Sequence, residues 1–419
     1  FDTEHARSLC DKRDTDNSVD DALDTLMHCL HSFLDIPFSK EDASNSWTSY
    51  EGILSDYCDV GEQMLSCVRG MTNHASLLDT LQQRGIISML VQMLARVTVT
   101  RGADRGRICL GRKNEKRLRA QCLPALYNIC RLHKGRQELA AREGLIPILI
   151  DICYRRSSSV RYALPLLCDL SHTSEEVREL LFTNGGVELF ADILDPSCEG
   201  LRQSVEGGRG ETGREKEAVS VSAWRPFVMN ALGALTICDP TRTTEALVAV
   251  PTPGVEALGT ANTISIPLTS TRRNGVDGLI AFVCETLSND LTQVLHSIHR
   301  PFLEMLERAP ALCTAIVTSQ DGAITDALVG QLTQETQRGQ RGTGAILTRS
   351  LLRALQLLYA AHPTPGAWTA KLDVLKLLAR LEQDSDHVLT SQLAGRLINE
   401  IKTLDSNRDG DMDRKPQQI

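Results

Sequence analysis

The sequence predicts an all-α fold: a solenoid of repeated helix triplets. Three observations carry the prediction. Aromatic residues make up only 4% of the 419 residues, and Leu and Ala dominate the apolar positions, which favours helix packing over a sheet core. No alternating strand pattern interrupts the apolar segments. A small unit, a polar turn with a Gly followed by an apolar helix, recurs along the chain.

That unit reads Arg84-Gly85-Ile86-Ile87, Glu143-Gly144-Leu145-Ile146, Gly185-Gly186-Val187, Asp277-Gly278-Leu279-Ile280, Asp321-Gly322-Ala323-Ile324 and Pro365-Gly366-Ala367. The intervals between the second residues are 59, 42, 92, 44 and 44. The 92 is two periods with one Gly missing, and the 59 is one period plus an insertion. A period of about 42 to 46 residues is the armadillo/HEAT range, so about six or seven repeats in a right-handed superhelix are expected. Each Gly is expected to end one helix in a left-handed conformation and let the next turn back.

Within the clearest stretch, Leu123 to Leu132 is an apolar helix and Gly135 to Glu143 a short amphipathic one. Leu145 to Tyr154 is apolar on nearly every side and should be buried. Val160 to Ser171 repeats the first of these. Thr173 and Glu176 then have the spacing of a capping box for a helix ending near Asn184. Pro124 precedes Asn128 by four residues, and Pro165 precedes Asp169 by four, so the two helices align. A Pro inside an apolar helix removes a donor and bends it, and the same bend in successive repeats would set a regular curvature.

The expected organisation has a flexible segment over 1–18, a repeat domain over 19–404 and a disordered tail over 405–419. Val19 to Ile36 would be a helix capping the first repeat. Insertion loops are expected near 97–118, 199–220 and 250–275. The second is rich in Gly and charge, the third in Pro, Thr and Ser. A first residue of Phe rather than Met points to a piece of something longer.

Composition narrows the function. A net charge of −8 is a poor starting point for gripping phosphates, so nucleic acid is not the expected partner. No run of 18 or more apolar residues exists to span a membrane, and the start does not read as a secretory signal. Thirteen cysteines, without a CxxC pair, read as small core hydrophobes of a reducing compartment, as at Cys130, Cys153, Cys168 and Cys284. The absence of an Asn-x-Ser/Thr sequon fits the same reading.

The phrases Ala125-Leu-Tyr-Asn-Ile-Cys-Arg-Leu, Arg136-Gln-Glu-Leu-Ala-Ala-Arg-Glu-Gly-Leu-Ile-Pro and Tyr162-Ala-Leu-Pro-Leu-Leu-Cys-Asp-Leu-Ser-His carry a resemblance. They resemble the non-catalytic armadillo region of the kinase family that holds the fungal septation-initiation kinases and the plant MAP kinase kinase kinase epsilon. The resemblance continues through Pro301-Phe-Leu-Glu-Met, Leu351-Leu-Arg-Ala-Leu and Leu372-Asp-Val-Leu-Lys-Leu-Leu, over roughly 119–404. In that family a Ser/Thr kinase domain precedes the repeats. Here no Gly-rich phosphate loop, His-Arg-Asp loop or Asp-Phe-Gly site is found, so no catalytic residue carries over. The resemblance implies a non-catalytic scaffold for a signalling kinase linked to cytokinesis. Its partners would be proteins or extended peptides, small GTPases or kinase-cascade components among them. Its place would be the cytoplasm, cytoskeleton or spindle pole. The alternatives are the C-terminal part of an active kinase, and an adaptor of the importin or catenin type.

The functional surface of such a stack is usually its concave face, lined by the third helices. The candidate contact residues are Asn128, Arg131, Asp169, His172, Thr236 and Glu304, with Gly70 and Gln356 at equivalent positions. An Asn offers a donor and an acceptor to an extended backbone, and it equally serves to tie one repeat to its neighbour.

Other constellations carry less. The basic run Arg101, Arg105, Arg107, Arg112, Lys113, Lys116, Arg117 and Arg119 lacks aromatic interleaving and reads as a solvated insertion leading into a helix, or else as a grip on an acidic partner, RNA or a phosphosite, or a nuclear signal. Asp405 to Asp413 imitates half of a calcium loop, but position twelve falls on Pro416. The pairs His28/His31, His296/His299 and Cys168/His172 fall short of the three or four ligands a metal needs. No catalytic residue, cofactor or metal is expected.

Overall fold

The computed structural model describes residues 16–35, 47–98, 111–155, 159–196, 221–249, 275–289, 291–319, 322–338, 343–363, 374–384 and 387–412. Among them are 19 α-helices, two short 3₁₀ turns and no strand. The helices fall into two compact units, divided between Gly185 and Gly186.

The first unit holds α1 (Asp16–Asp35), α2 (Trp47–Met71), α3 (Leu78–Gln83), α4 (Ile86–Thr98), α5 (Gly111–Cys130), α6 (Lys134–Arg142), α7 (Leu145–Tyr154), α8 (Val160–Leu170) and α9 (Glu175–Thr183). The order short, middle, third repeats as α3–α4–α5 and α6–α7–α8. Like packs on like. Third helices α2, α5 and α8 form one row, middle helices α4 and α7 a second, and short helices α6 and α9 a third. This is the stacking of an armadillo-type solenoid, in which each repeat buries its apolar faces on its neighbours. Helix α7 is buried on nearly every side, as its composition predicts. Helix α1 lays Leu23, Met27, Leu30 and Leu34 against α2 and α4 and so caps this row, and Arg84 adds a 2.7 Å ion pair to Asp24.

The second unit holds α10 (Gly186–Leu194), α11 (Arg225–Cys238), α12 (Pro240–Val248), α13 (Gly275–Ser288), α14 (Thr292–Arg308), α15 (Pro310–Thr318), α16 (Ala323–Arg338), α17 (Thr343–Ala361), α18 (Val374–Asp384) and α19 (Val388–Met412). The same rows recur: third helices α11, α14, α17 and α19, middle helices α10, α13, α16 and α18, short helices α12 and α15.

The glycine turns explain the sharp reversals. Gly85, Gly144, Gly185 and Gly322 have φ between 77° and 91°. At the first three the Gly N–H donates to a carbonyl in the last turn of the preceding helix: Gln82, Ala141 and Phe182. A residue with a Cβ pays for that conformation in sterics, while Gly does not. At Gly144 nothing lies within 4 Å of where a Cβ would stand, so the cost is the backbone's alone. Gly144→Ala is therefore expected to destabilise the first unit by about 1–2 kcal/mol, read as a lower urea midpoint at unchanged slope.

Several expectations are corrected. The turn residue is Gly185, not Gly186, which opens α10. Gly278 is not a turn at all; it lies inside α13, where small size lets the helix approach Asp195 and Ala191. Gly366 lies outside the described residues, as do residues 199–220 and 250–274, where loops are expected. Of the insertion expected near 97–118, Val97 and Thr98 belong to α4 and residues 111–118 to α5, while 99–110 lie outside the described residues. The capping box does not form: the Thr173 hydroxyl donates 2.6 Å back to the Leu170 carbonyl, and Ser174 takes the N-cap without a side-chain bond. Helix α19 runs to Met412, past the expected boundary at Leu404, so Asp405 to Met412 are helical and not a calcium loop. Pro124, Pro165 and Pro301 do sit inside continuous third helices.

The described cysteines follow the core reading in part: Cys67 and Cys284 are only half-buried, and Cys29 and Cys238 are exposed. Cys58, Cys122, Cys130, Cys153, Cys168 and Cys313 are buried, and burial pushes the Cys58 and Cys313 thiols up to about 11 and that of Cys130 to about 12.

Candidate interaction face

The third-helix row of the first unit gathers most of the candidate residues. Tyr127 lies on α5 and Arg131 just past its end, where the Arg131 N–H still donates to the Tyr127 carbonyl at 2.9 Å; the two are one turn apart, with Asn128 beside Tyr127. On α8, Arg161 and Tyr162 lie near the start and Asp169 near the end, with His172 just beyond. The rings of Tyr127 and Tyr162 meet across the two helices, with centroids 5.8 Å apart and tilted by 57°. The Arg161 guanidinium lies 4.9 Å over the Tyr162 ring, and that of Arg131 6.0 Å over Tyr127. The order across the face is therefore cation, ring, ring, cation, which matches the attraction of a guanidinium for an aromatic face.

Asn128 is half-buried, and its Nδ2 donates to Asn73 Oδ1 at 2.8 Å and to Thr72 Oγ1 at 3.4 Å. It thus ties α5 to the end of α2, which is the structural reading of this residue. Its Oδ1 accepts no hydrogen bond among the described residues, so half of the amide stays available to a ligand.

Asp169 and His172 differ from Asn128 in being electrostatically costly. Burial raises the Asp169 carboxyl above its ordinary value, with His172 and Arg131 pulling it back. Burial lowers His172, against the pull of Asp169, and Arg178 and Lys134 lower it further. A carboxyl raised in the folded state takes up protons more readily there than in the unfolded chain. Its contribution to stability therefore falls as pH rises above the unfolded pKa. Asp169→Asn is accordingly expected to leave stability at pH 7 unchanged or slightly higher, with the gain shrinking as pH drops toward 4; paired urea titrations at the two pH values check this. A residue kept at a cost to stability is a candidate for function.

The second unit holds the other two candidates, and neither is simply presented to solvent. Thr236 is a correction: it is fully buried, and its hydroxyl donates 2.9 Å to the Leu232 carbonyl one turn back. Glu304 is half-buried and paired with Arg300 at 2.9 Å on its own helix. What links the third helices here is a polar thread that sequence reasoning missed. Arg353 bonds Glu307 at 3.0 Å and Gln356 at 2.8 Å, and the Gln356 amide donates 2.6 Å to Glu400. The thread joins α14, α17 and α19. Its signal was the Arg three residues before Gln356, the position already aligned.

Where it is described, the basic run divides between engaged, buried and exposed members. Arg117 pairs with Asp59 at 2.7 Å and with Glu62, in a shallow groove of about 450 Å³ lined also by Gln63, Ser66 and Gln121. Arg119 is buried. Lys113 and Lys116 are exposed, while Arg101, Arg105 and Arg107 lie outside the described residues. His299 turns its Nδ1 to the Leu295 carbonyl at 3.1 Å, with the His296 ring 6.2 Å away. Among the described residues no group of three or more His, Cys, Asp or Glu could hold a metal, and no helix is long and apolar enough to cross a membrane.

Two curated kinases show the relationship. MAP3K epsilon protein kinase 1 of Brassica napus is 32% identical over 133 residues, which is 32% of this chain and 9% of that kinase. Cytokinesis protein sepH of Aspergillus terreus is 31% identical over 134 residues, again 32% of this chain and 9% of the relative. Over about a third of its length, the chain is similar to these kinases. The similarity to MAP3K epsilon and sepH confirms the family resemblance, over a shorter stretch than the expected 119–404. It takes in less than a tenth of either kinase, in a region without a kinase domain. No protein-family model matches the chain. A designed armadillo repeat protein overlays 74% of this chain and 99% of its own at 11% identity and a TM-score of 0.39. The architecture therefore rests on the stacking of this chain's own helices.

Proposed function

We propose that this chain is a non-catalytic protein-binding scaffold, akin to the regulatory helical part of a septation or cytokinesis kinase, and that the α5–α8 face is its contact surface. The observation that carries the reading is the row of third helices that brings half-buried Tyr127, Asn128, Tyr162 and Asp169 together with exposed Arg131. Packed helix faces that serve only stability bury apolar groups. This one instead holds aromatic rings, guanidinium groups and a costly carboxylate at the surface, the residue types enriched where proteins meet. The partner would be an extended protein segment from a kinase cascade or a small GTPase, in the cytoplasm or at the cytoskeleton or spindle pole.

The test is affinity capture with the full chain against the Tyr162→Ala/Asp169→Asn double variant, with the retained proteins identified by mass spectrometry. The proposal expects at least one protein held by the wild type and lost by the variant, while the helical circular-dichroism signal stays. Retention of the same proteins by both chains would refute the surface. An upstream kinase domain in the same reading frame would make the scaffold part of an active kinase without changing the role proposed for this face.

A further inference from the structure

We infer that the α5–α8 face selects an acidic peptide segment, whose carboxylates are taken by Arg131 and Arg161 from opposite ends of the tyrosine pair. The inference rests on the scaffold reading above and adds the chemistry of the partner.

Ten ion pairs among the described residues engage other arginines, and neither Arg131 nor Arg161 takes part in one. Both are exposed. Each has a tyrosine ring under it, at 6.0 Å and 4.9 Å, so its guanidinium is partly oriented before any ligand arrives. A guanidinium carries a fork of N–H donors whose spacing matches a carboxylate. Lys134 and Arg178 add positive charge near His172, at the end of α8. The opposing charge is Asp169, half-buried and with its carboxyl already raised.

The chain as a whole carries −8, so bulk electrostatics repels an acidic segment. A local cationic face on an acidic protein therefore discriminates by position and not by general attraction. Leu132 supplies the apolar part of the recognition. It is 87% exposed, stands next to Arg131 and holds φ at 60°, a conformation an L side chain rarely adopts. Such strain at an exposed apolar residue is retained more readily where a partner covers it. The expected ligand is an extended segment with Asp or Glu spaced around one apolar residue.

The experiment uses a random-sequence peptide library displayed on phage, selected on the full chain and, in parallel, on the Arg131→Gln/Arg161→Gln variant. Both substitutions are at the surface, and an unchanged thermal midpoint confirms that the variant is folded. Peptides enriched on the wild type should carry an excess of Asp and Glu over the unselected library. Their recovery should fall about tenfold on the variant, the loss of two solvent-exposed ion pairs, and should fall with added salt. Enrichment of neutral or basic peptides, or equal recovery of acidic ones by both chains, would overturn the inference while leaving a peptide-binding face standing. No enrichment on either chain would remove this inference and the peptide-groove reading together.

Discussion

Replacing Arg136 with Met is expected to destabilise the first unit by about 2–3 kcal/mol, one of the largest effects of any single polar substitution in it. Arg136 sits near the start of the short helix α6, yet its side chain is only 6% exposed. It reaches across to the preceding repeat, donating to Asp79 Oδ1 at 2.6 Å and Gln82 Oε1 at 2.9 Å, and back to the Ile129 carbonyl at 3.4 Å. One guanidinium therefore joins two short helices and the end of a third helix. Met matches most of its volume but leaves a buried carbonyl without this donor. The Asp79 side chain is 79% exposed and returns to water, which keeps the effect below that of breaking a fully buried pair. Urea unfolding followed by circular dichroism should show a lower midpoint with an unchanged slope. A change under 0.5 kcal/mol would mean that the short-helix row contributes little to the stack.

Gly278→Leu is expected to cost the second unit about 3 kcal/mol or more. A Cβ at this position would stand 2.9 Å from the Asp195 Cβ and 3.2 Å from the Ala191 carbonyl oxygen. The nearest atoms belong to α10 and the residue just past it, and one is backbone, so no flexible side chain can step aside. Gly275, at the start of α13, meets Ala191 and the Leu247 carbonyl at 3.1 Å. Small residues thus let α10, α12 and α13 approach closely, and a larger side chain must push them apart. Thermal unfolding of the Gly278→Ala and Gly278→Leu variants checks this, with Leu the worse. If both substitutions proved neutral, the close approach of α10 and α13 would be wrong.

Gly278 also shows where the sequence could mislead. Glycine serves both left-handed turns and close helix contacts, and the tetrapeptide Asp277-Gly-Leu-Ile has the outline of the true turns at Gly85 and Gly144. What separates them is the neighbour across the repeat, which lies far away in sequence. Helix identity and order were legible because apolar periodicity is local: α7 and the Gly144 turn follow directly from Leu145 to Tyr154 and the polar residues before it. The face was legible in part. Asn128, Arg131, Asp169 and His172 were reachable from the alignment of Pro124 with Pro165. Thr236 was not, because α11 has its Pro at the helix start, Pro226, and Leu232 where the aligned Pro would stand, and a small error in register turns a helical side chain from the surface to the core. Tyr127 and Tyr162 were read only as part of a resemblance, since their pairing depends on two repeats meeting. The same holds for Arg136, for the thread of Glu307, Arg353, Gln356 and Glu400, and for Arg225, whose Nε donates to the Ile193 carbonyl at 3.2 Å.

The most direct measurement is hydrogen–deuterium exchange of the full chain with and without a captured partner. A scaffold working through the α5–α8 face should show slowed exchange over residues 127–133 and 161–172. Protection confined to the short helices α6 and α9, or to the second unit alone, would contradict the account.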